Sequence, residues 1–565
     1  MTYTVLSPWG EVDRPAPVAI SPRLDTLHGK TIGMFSHFKA HSPLMGEEIE
    51  KELKKSYPDT QFSYFQYPKD THELEDDEEY RGAFAQWLSH VDGVIALYGD
   101  AGSCSMYHAM NTAYAEKLGK PCVMLVNENL ISSAQAGCVS RGVGALRFVT
   151  CGLDMPSSVP ALDREFIENV IRPGILPSVE KLADALTRPL TEAEATPPAE
   201  DGNRYAKMTV TGTPEEINKQ FYRYGWGNGL PINLPTREAV DEMLRGTDLA
   251  PDEVIAVLPP MNGKATVEKI AVNAVMAGCL PTYMPILIAM VRCMASDKLH
   301  LVGWTCSTAG FAPIITLSGP IRKAISANCV GSAMSPLYKP NATIPRAYAL
   351  INTNIAGVRP SMEITGGSGH ENLQGIFLAE DEEASPWKPF HTEYGLEEGD
   401  SAVSMFWAHG RVVCRTGAKD AGSLLAAMCD STDDTGFDPG VTFVINSAWA
   451  NVLAGEGMTR RDVRDYITEY ARKPATEMKV RWMKDNHHMP RHLPLPLDPT
   501  RSVRKYFDNE HIQVVICGSH DKMRCIAMCG GGDHGGPGVA RIDLPKNWDS
   551  LVEQYADYVP EFIKY

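Results

Sequence analysis

The sequence has no apolar run long enough to cross a bilayer. Its longest, such as YMPILIAMV at 283–291, fall well short of the ~20 residues a spanning helix needs. The opening stretch MTYTVLSPWGEVDRP lacks the basic and apolar regions of a secretory leader. Positive charge is in deficit, with 53 Lys and Arg against 70 Asp and Glu for a formal net charge of -17. That balance argues against nucleic acid or a membrane surface as the main partner, although local basic pockets remain open. A paired cysteine framework is missing too. The 13 cysteines are odd in number and scattered through 565 residues, so reduced thiols and a cytoplasmic setting are expected. There is no low-complexity tract and no convincing internal repeat.

What is present is enough chain for two or three domains, each with a sizeable interior. The first 185 residues alternate short apolar runs with amphipathic stretches. KTIGMFSHF, QFSYFQYP, VDGVIALYG, PCVMLVNE and ALRFVTC read as strands, with helices predicted at 42–56, 76–90 and 105–118. This rhythm predicts a doubly wound, flavodoxin- or Rossmann-like parallel sheet over residues 1–186. The segment TRPLTEAEATPPAEDGNR breaks it, and 187–205 is expected to be a linker. Residues 206–565 read as a larger α+β domain. Helices are expected at 212–225, with Thr213 as N-cap and Pro214 in the first turn, and at 265–279. AVSMFWA, GVTFVINS and HIQVVICGS have strand-like composition.

One cysteine occupies a special place. Cys104 follows the third apolar strand in the small-residue turn GDAGSCS, before a helix, at the edge where parallel α/β sheets place ligands. A helix N-terminus favours the thiolate, so Cys104 is a candidate nucleophile. The competing reading is a small packing residue in a tight turn, since cysteine is among the most buried residue types.

The segment VDGVIALYGDAGSCSMYHAMNTAYAEKLGKPCVMLVNE resembles the active-site region of glycine, sarcosine and betaine reductase selenoprotein B. More closely, it resembles the UGSC family, in which selenocysteine or cysteine precedes Gly-Ser-Cys. GWGNGLPINLPT, ATVEKIAVNAVMAGCLPTYMPILIAMV, NATIPRAYAL and LAEDEEASPWKPFH are similar to blocks of longer members. The resemblance implies a reductase-like thiol enzyme. The sequence departs from it at one position: Ala101 stands where the family carries its first chalcogen, before Gly102, Ser103 and Cys104. A lone thiol needs another resolving partner, so a thiol reductant protein is an expected partner.

Within the family-like blocks, Glu268, Lys269 and Asn273 are candidates for an acid, a cation and an amide at a pocket, or for a solvated helix face. In EDEEASPWKPFH, His391 and Glu382 are kept as acid–base candidates, and most of the acids are expected in an exposed loop. Trp226, Asn228, Trp387 and His370 are candidate substrate-binding residues beside Gly102 and Ser103. The glycine clusters ITGGSGHENLQG and CGGGDHGGPG, with His370 and His534, fit neither a Walker A nor a dinucleotide fingerprint. Cys525 and Cys529 of CIAMC, with His520 or His534, and the histidines 487, 488 and 492 are open to metal binding or disulfide exchange. Their spacing is not that of a zinc knuckle, so no metal and no particular cofactor is assigned.

The expected function is an enzyme acting on a small organic substrate, anionic or carbonyl-containing, at a site between the two domains. The chemistry would be thiol-assisted redox or carbon–heteroatom bond cleavage, with Cys104 as nucleophile and Lys269 and Asn273 stabilising charge. The alternatives are a non-redox lyase or hydratase, and a non-catalytic subunit of a reductase. A homo-oligomer is expected.

Overall fold

The computed structural model describes residues 1–13, 15–39, 41–69, 71–99, 101–153, 164–198, 203–359, 374–432, 440–474, 500–506, 508–520, 523–531 and 536–558. His370, His534 and the histidines at 487, 488 and 492 lie outside these residues.

The alternating rhythm of the first part forms a single sheet. Strands β1 (Thr31–Ser36), β2 (Gln61–Gln66), β3 (Gly93–Gly99), β4 (Cys122–Asn127) and β5 (Arg147–Cys151) lie in the order β2-β1-β3-β4-β5. Every neighbouring pair is parallel. Because successive side chains alternate across a strand, β3 sends Ile95 and Leu97 to one face and Val94 and Ala96 to the other. Helices α1 (Ser42–Ser56) and α5 (Val179–Thr187) cover the first face through Met45, Ile49, Leu182 and Leu186. Helices α2 (Arg81–Ser89), α3 (Gly102–Lys117) and α4 (Ile131–Ser140) cover the second through Phe84, Ala109, Ala113 and Ala134. The chain order reverses between β1 and β3, which makes that gap the topological switch point of the sheet.

Two boundaries differ from expectation. α2 begins at Arg81 rather than 76. α3 begins at Gly102 rather than 105, which moves Cys104 from a turn into the first helical turn. Gly99 permits this early start, since a Cβ there would lie 2.8 Å from Ser105 Cα.

The second region contains two mixed sheets. The strands of these two sheets are β6 (Ala312–Ser318), β7 (Ile376–Ala379), β8 (Ala402–Ala408), β9 (Gly410–Cys414), β10 (Val441–Ile445), β11 (Ile512–Ile516), β12 (Cys525–Cys529) and β13 (Gly538–Arg541). They are ordered β7-β6-β8-β13 and β9-β12-β10-β11. Ile314, Leu378 and Phe406 of one sheet share an apolar layer with Val444, Val515 and Met528 of the other. Helix α6 (Pro214–Arg223) starts with the expected Thr213 cap, completed by Glu216 as a capping box. α7 (Val267–Ala277) is capped by Thr266 and stopped by Gly278 at φ +87°. Together with α8 (Met284–Met294), α7 forms the largest core.

The two regions are joined at both ends of the first. Strand Tyr3–Leu6 pairs antiparallel with Thr209–Gly212, and Val5 and Trp9 are buried in the α7–α8 core. Within the expected linker, Thr191 and Glu194 form a capping box on a short helix, Glu192–Ala195. Arg147 holds Glu194 at 2.8 Å, and this pairing lowers the Glu194 carboxyl to about 2. Met106 and Met110 of α3 pack against Val302 and Cys306, around α9 (Leu301–Thr305).

The exposed acidic loop expected after β7 is corrected. Glu380 and Asp381 are 0% and 3% exposed. Glu380 pairs with Arg460 at 2.8 Å and Asp381 with His520 at 2.7 Å. Their partners lie 80 and 139 residues away in the chain, out of reach of any local sequence pattern.

Candidate active site at the carboxyl edge of the parallel sheet

The first turn of α3 lies where β3 ends. Ala101 is extended at φ -139°, ψ 157° and supplies no side-chain cap. Ala101, where the sequence resemblance leads one to expect a chalcogen, is therefore the N-cap itself. The first intrahelical bond runs from Ser105 N–H to the Ala101 carbonyl at 2.8 Å. Upstream of it, the N–H groups of Gly102 and Ser103 receive no cap from the Ala101 side chain, and donors at a helix N-terminus attract a developing negative charge. Gly102 and Ser103 are buried, and Cys104 is 8% exposed. Ser133 Oγ, from α4, donates to the Gly102 carbonyl at 3.0 Å and fixes the turn from the far side. Gly137 of α4 allows that close packing, since a Cβ there would meet the Met106 carbonyl at 2.6 Å.

The switch point brings the loop after β1 to the same edge. His37, Lys39 and His41 follow β1 directly and are 5%, 4% and 0% exposed. Ser42 Oγ donates to the Leu97 carbonyl at 3.4 Å, which ties the start of α1 to β3. One turn beyond Cys104, and on the same side of α3, His108 is 2% exposed. Its ring centroid lies 4.7 Å from that of Phe35 and 5.3 Å from that of His37. His41 lies 6.3 Å from both His37 and Tyr98. The Leu97 carbonyl takes a hydrogen bond from the His108 ring, and burial lowers the ring to about 3, so the imidazole is neutral. Its buried Nε2 makes no hydrogen bond, leaving a lone pair as a hydrogen-bond acceptor within the cluster.

These three histidines and Lys39 were not among the residues singled out from sequence. The available signal was the pair His37 and His41 immediately after the first strand of a βα rhythm. In a doubly wound sheet, the loops after the first and third strands meet at the switch point.

The other sequence candidates lie in different surroundings. Lys269 Nζ donates to the carbonyls of Ser7 and Ala206 at 2.9 and 2.8 Å, and burial lowers it to about 8. Asn273 Nδ2 donates to the Pro8 carbonyl at 3.1 Å, and its Oδ1 accepts from Asn354 at 2.8 Å. The two residues share a helix face as expected, and there they anchor the N-terminal segment. Glu268 pairs with Arg237 at 2.6 Å on the surface. Trp226 is 1% exposed and packs edge-on to Phe221 at 5.1 Å. Asn228 lies in an exposed turn, accepting from Leu230 N–H. Trp387 donates to the Met458 carbonyl at 2.8 Å. His391 is buried in a 3-10 turn with Nε2 2.8 Å from the Glu397 carbonyl. Glu382 binds Arg322 at 2.7 Å and the Gly319 N–H at 2.5 Å. Among the described residues no three His, Cys, Asp or Glu side chains are grouped to hold a metal ion, and no helix is long and apolar enough to cross a membrane.

Fold and site together define a doubly wound α/β protein with a cysteine in the first turn of the helix at its switch point. Residues 4–174, which contain the whole sheet, match the UGSC family model. No curated protein and no solved structure matches the chain.

Proposed function

We propose that the chain is an enzyme acting on a small organic substrate, anionic or carbonyl-bearing, with Cys104 as its nucleophile. The observation that carries the reading is the meeting, at one sheet edge, of the α3 N-terminus bearing Cys104 with the buried imidazoles of His37, His41 and His108. In the step this arrangement suits, the Cys104 sulfur forms a bond to an electrophilic carbon and the carbonyl electron pair moves onto oxygen. The first-turn N–H groups and Lys39 stabilise that oxygen, and His37 carries the proton. With Ala101 at the N-cap, Cys104 has no neighbouring thiol in the motif with which to close a disulfide. Cleavage of a carbon–heteroatom bond without net oxidation therefore fits the residues better than an internal redox cycle. A redox version needs an external thiol reductant.

The test is to incubate the protein with a panel of 2-oxo acids, aldehydes and α-substituted carboxylates, following each by proton NMR with and without dithiothreitol. The reading expects turnover of at least one class, lost in Cys104→Ser. Turnover that consumes dithiothreitol one for one marks the redox version. Turnover that survives in Cys104→Ser removes the nucleophile assignment.

A further inference from the structure

A second thiol site stands apart from the sheet edge and does not depend on the reading above. Strands β9 and β12 pair antiparallel with Cys414 directly opposite Cys525. Residues opposite one another in such a ladder have Cα atoms about 4.5–5.5 Å apart, within the range a disulfide spans. The Cys525 thiol donates to Cys414 Sγ across 3.1 Å. The two sulfurs differ in character. The bond from Cys525, with the Ser431 hydroxyl also against the sulfur, holds Cys414 below the ordinary thiol value. Burial drives Cys525 well above it. Cys414 retains 5% exposure at the end of an edge strand, whereas Cys525 is fully enclosed.

We propose that Cys414 and Cys525 form a peroxide-driven disulfide, reversible by thiols, that clamps edge strand β9 to β12. The chemistry balances with hydrogen peroxide as the sole co-reactant. The Cys414 thiolate attacks one peroxide oxygen, an S–O bond forms, the O–O bond breaks, and hydroxide leaves to become water. The Cys525 sulfur then attacks the resulting sulfenic sulfur. An S–S bond forms, the S–O bond breaks, and the hydroxide leaves as a second water with the Cys525 proton. Two thiols are oxidised by two electrons and one peroxide is reduced. The residue before Cys525 is tied to the end of β10: Asn446 N–H donates to the Arg524 carbonyl and Arg524 N–H to Asn446 Oδ1. The cross-link would fix that strand entrance.

The experiment treats the full chain with an equivalent of hydrogen peroxide, quenches, denatures and counts thiols with a chromogenic disulfide, alongside peptide mapping. The peptide map should show one linked pair joining 414 to 525, which removes two of the 13 free cysteines of the reduced chain, with any oxidation at Cys104 scored separately in the same map. Dithiothreitol should restore both thiols. Cys414→Ala and Cys525→Ala should each form no linked pair. The wild-type map stands even if a variant fails to fold. Retention of all thiols, a disulfide between other cysteines, or a sulfinic acid at Cys414 without the cross-link overturns the proposal.

Discussion

At the scale of single residues, burial decides how the titratable groups of both regions behave. His108 is lowered to about 3 from the ordinary 6.5. As pH falls below 6.5 the unfolded chain takes up a proton that the folded chain does not, so His108 makes the protein lose stability between pH 6.5 and 3. His108→Gln should flatten that limb of a stability-against-pH curve measured by urea denaturation. An unchanged slope in the variant would mean that the ring is not held neutral. Lys269 is lowered from 10.5 to about 8 by burial. Below pH 8 both states carry the proton and the buried ammonium is fully unfavourable. Between pH 8 and 10.5 the folded chain releases its proton while the unfolded chain keeps it, so stability relative to Lys269→Met should rise with pH, by on the order of 3 kcal/mol. Denaturation of both proteins at the two ends of that window checks the sign.

At the scale of elements, the α3 N-terminus depends on two glycines that let it approach its neighbours. A Cβ at Gly99 would lie 2.8 Å from Ser105 Cα, so Gly99→Ala should push the first turn of α3 off the strand end. The expected cost is about 1–3 kcal/mol, with a larger loss of Cys104 reactivity than of stability. Melting curves and thiol labelling on one preparation separate the two effects. Much at this scale could be read from the sequence. The βα rhythm marked all five parallel strands and α1, and the Thr213 and Pro214 signals marked the start of α6, because those cues are local. The start of α3 was missed by three residues because Gly-Ser-Cys-Ser reads as a turn, and only packing against Ser133 and Gly137 makes it helical. The histidine cluster was missed for a similar reason. His37 and His108 are 71 positions apart in the numbering, and only the strand order brings their rings together. Lys269 and Asn273 were noticed, but their partners at Ser7 and Pro8 lie 262 and 265 residues away.

At the scale of the whole molecule, the first residues of the chain belong to the second region's core. Trp9 is 7% exposed there, and Trp9→Ala should cost about 3–5 kcal/mol. Hydrogen exchange should show protection lost in Tyr3–Leu6, Thr209–Gly212 and α7 while β3 and β4 keep theirs. Equal loss in the parallel sheet would contradict the separate cores. The central claim, that Cys104 is a chemically special thiol, sets it against every other cysteine in the chain. Twelve of the 13 are buried, Cys104 among them, and Cys329 alone is half-buried. Exposure by itself therefore ranks Cys329 first, although burial and the nearby Asp381 raise its thiol to about 11. The most direct measurement is competitive alkylation of the native protein at pH 7 with limiting iodoacetamide, with each site quantified by peptide mass spectrometry. The account predicts that Cys104 is labelled ahead of Cys329 and of Cys414, as a nucleophile at a helix N-terminus should be. Labelling of Cys329 first, with Cys104 silent until the protein unfolds, would make Cys104 a packing residue and contradict the account.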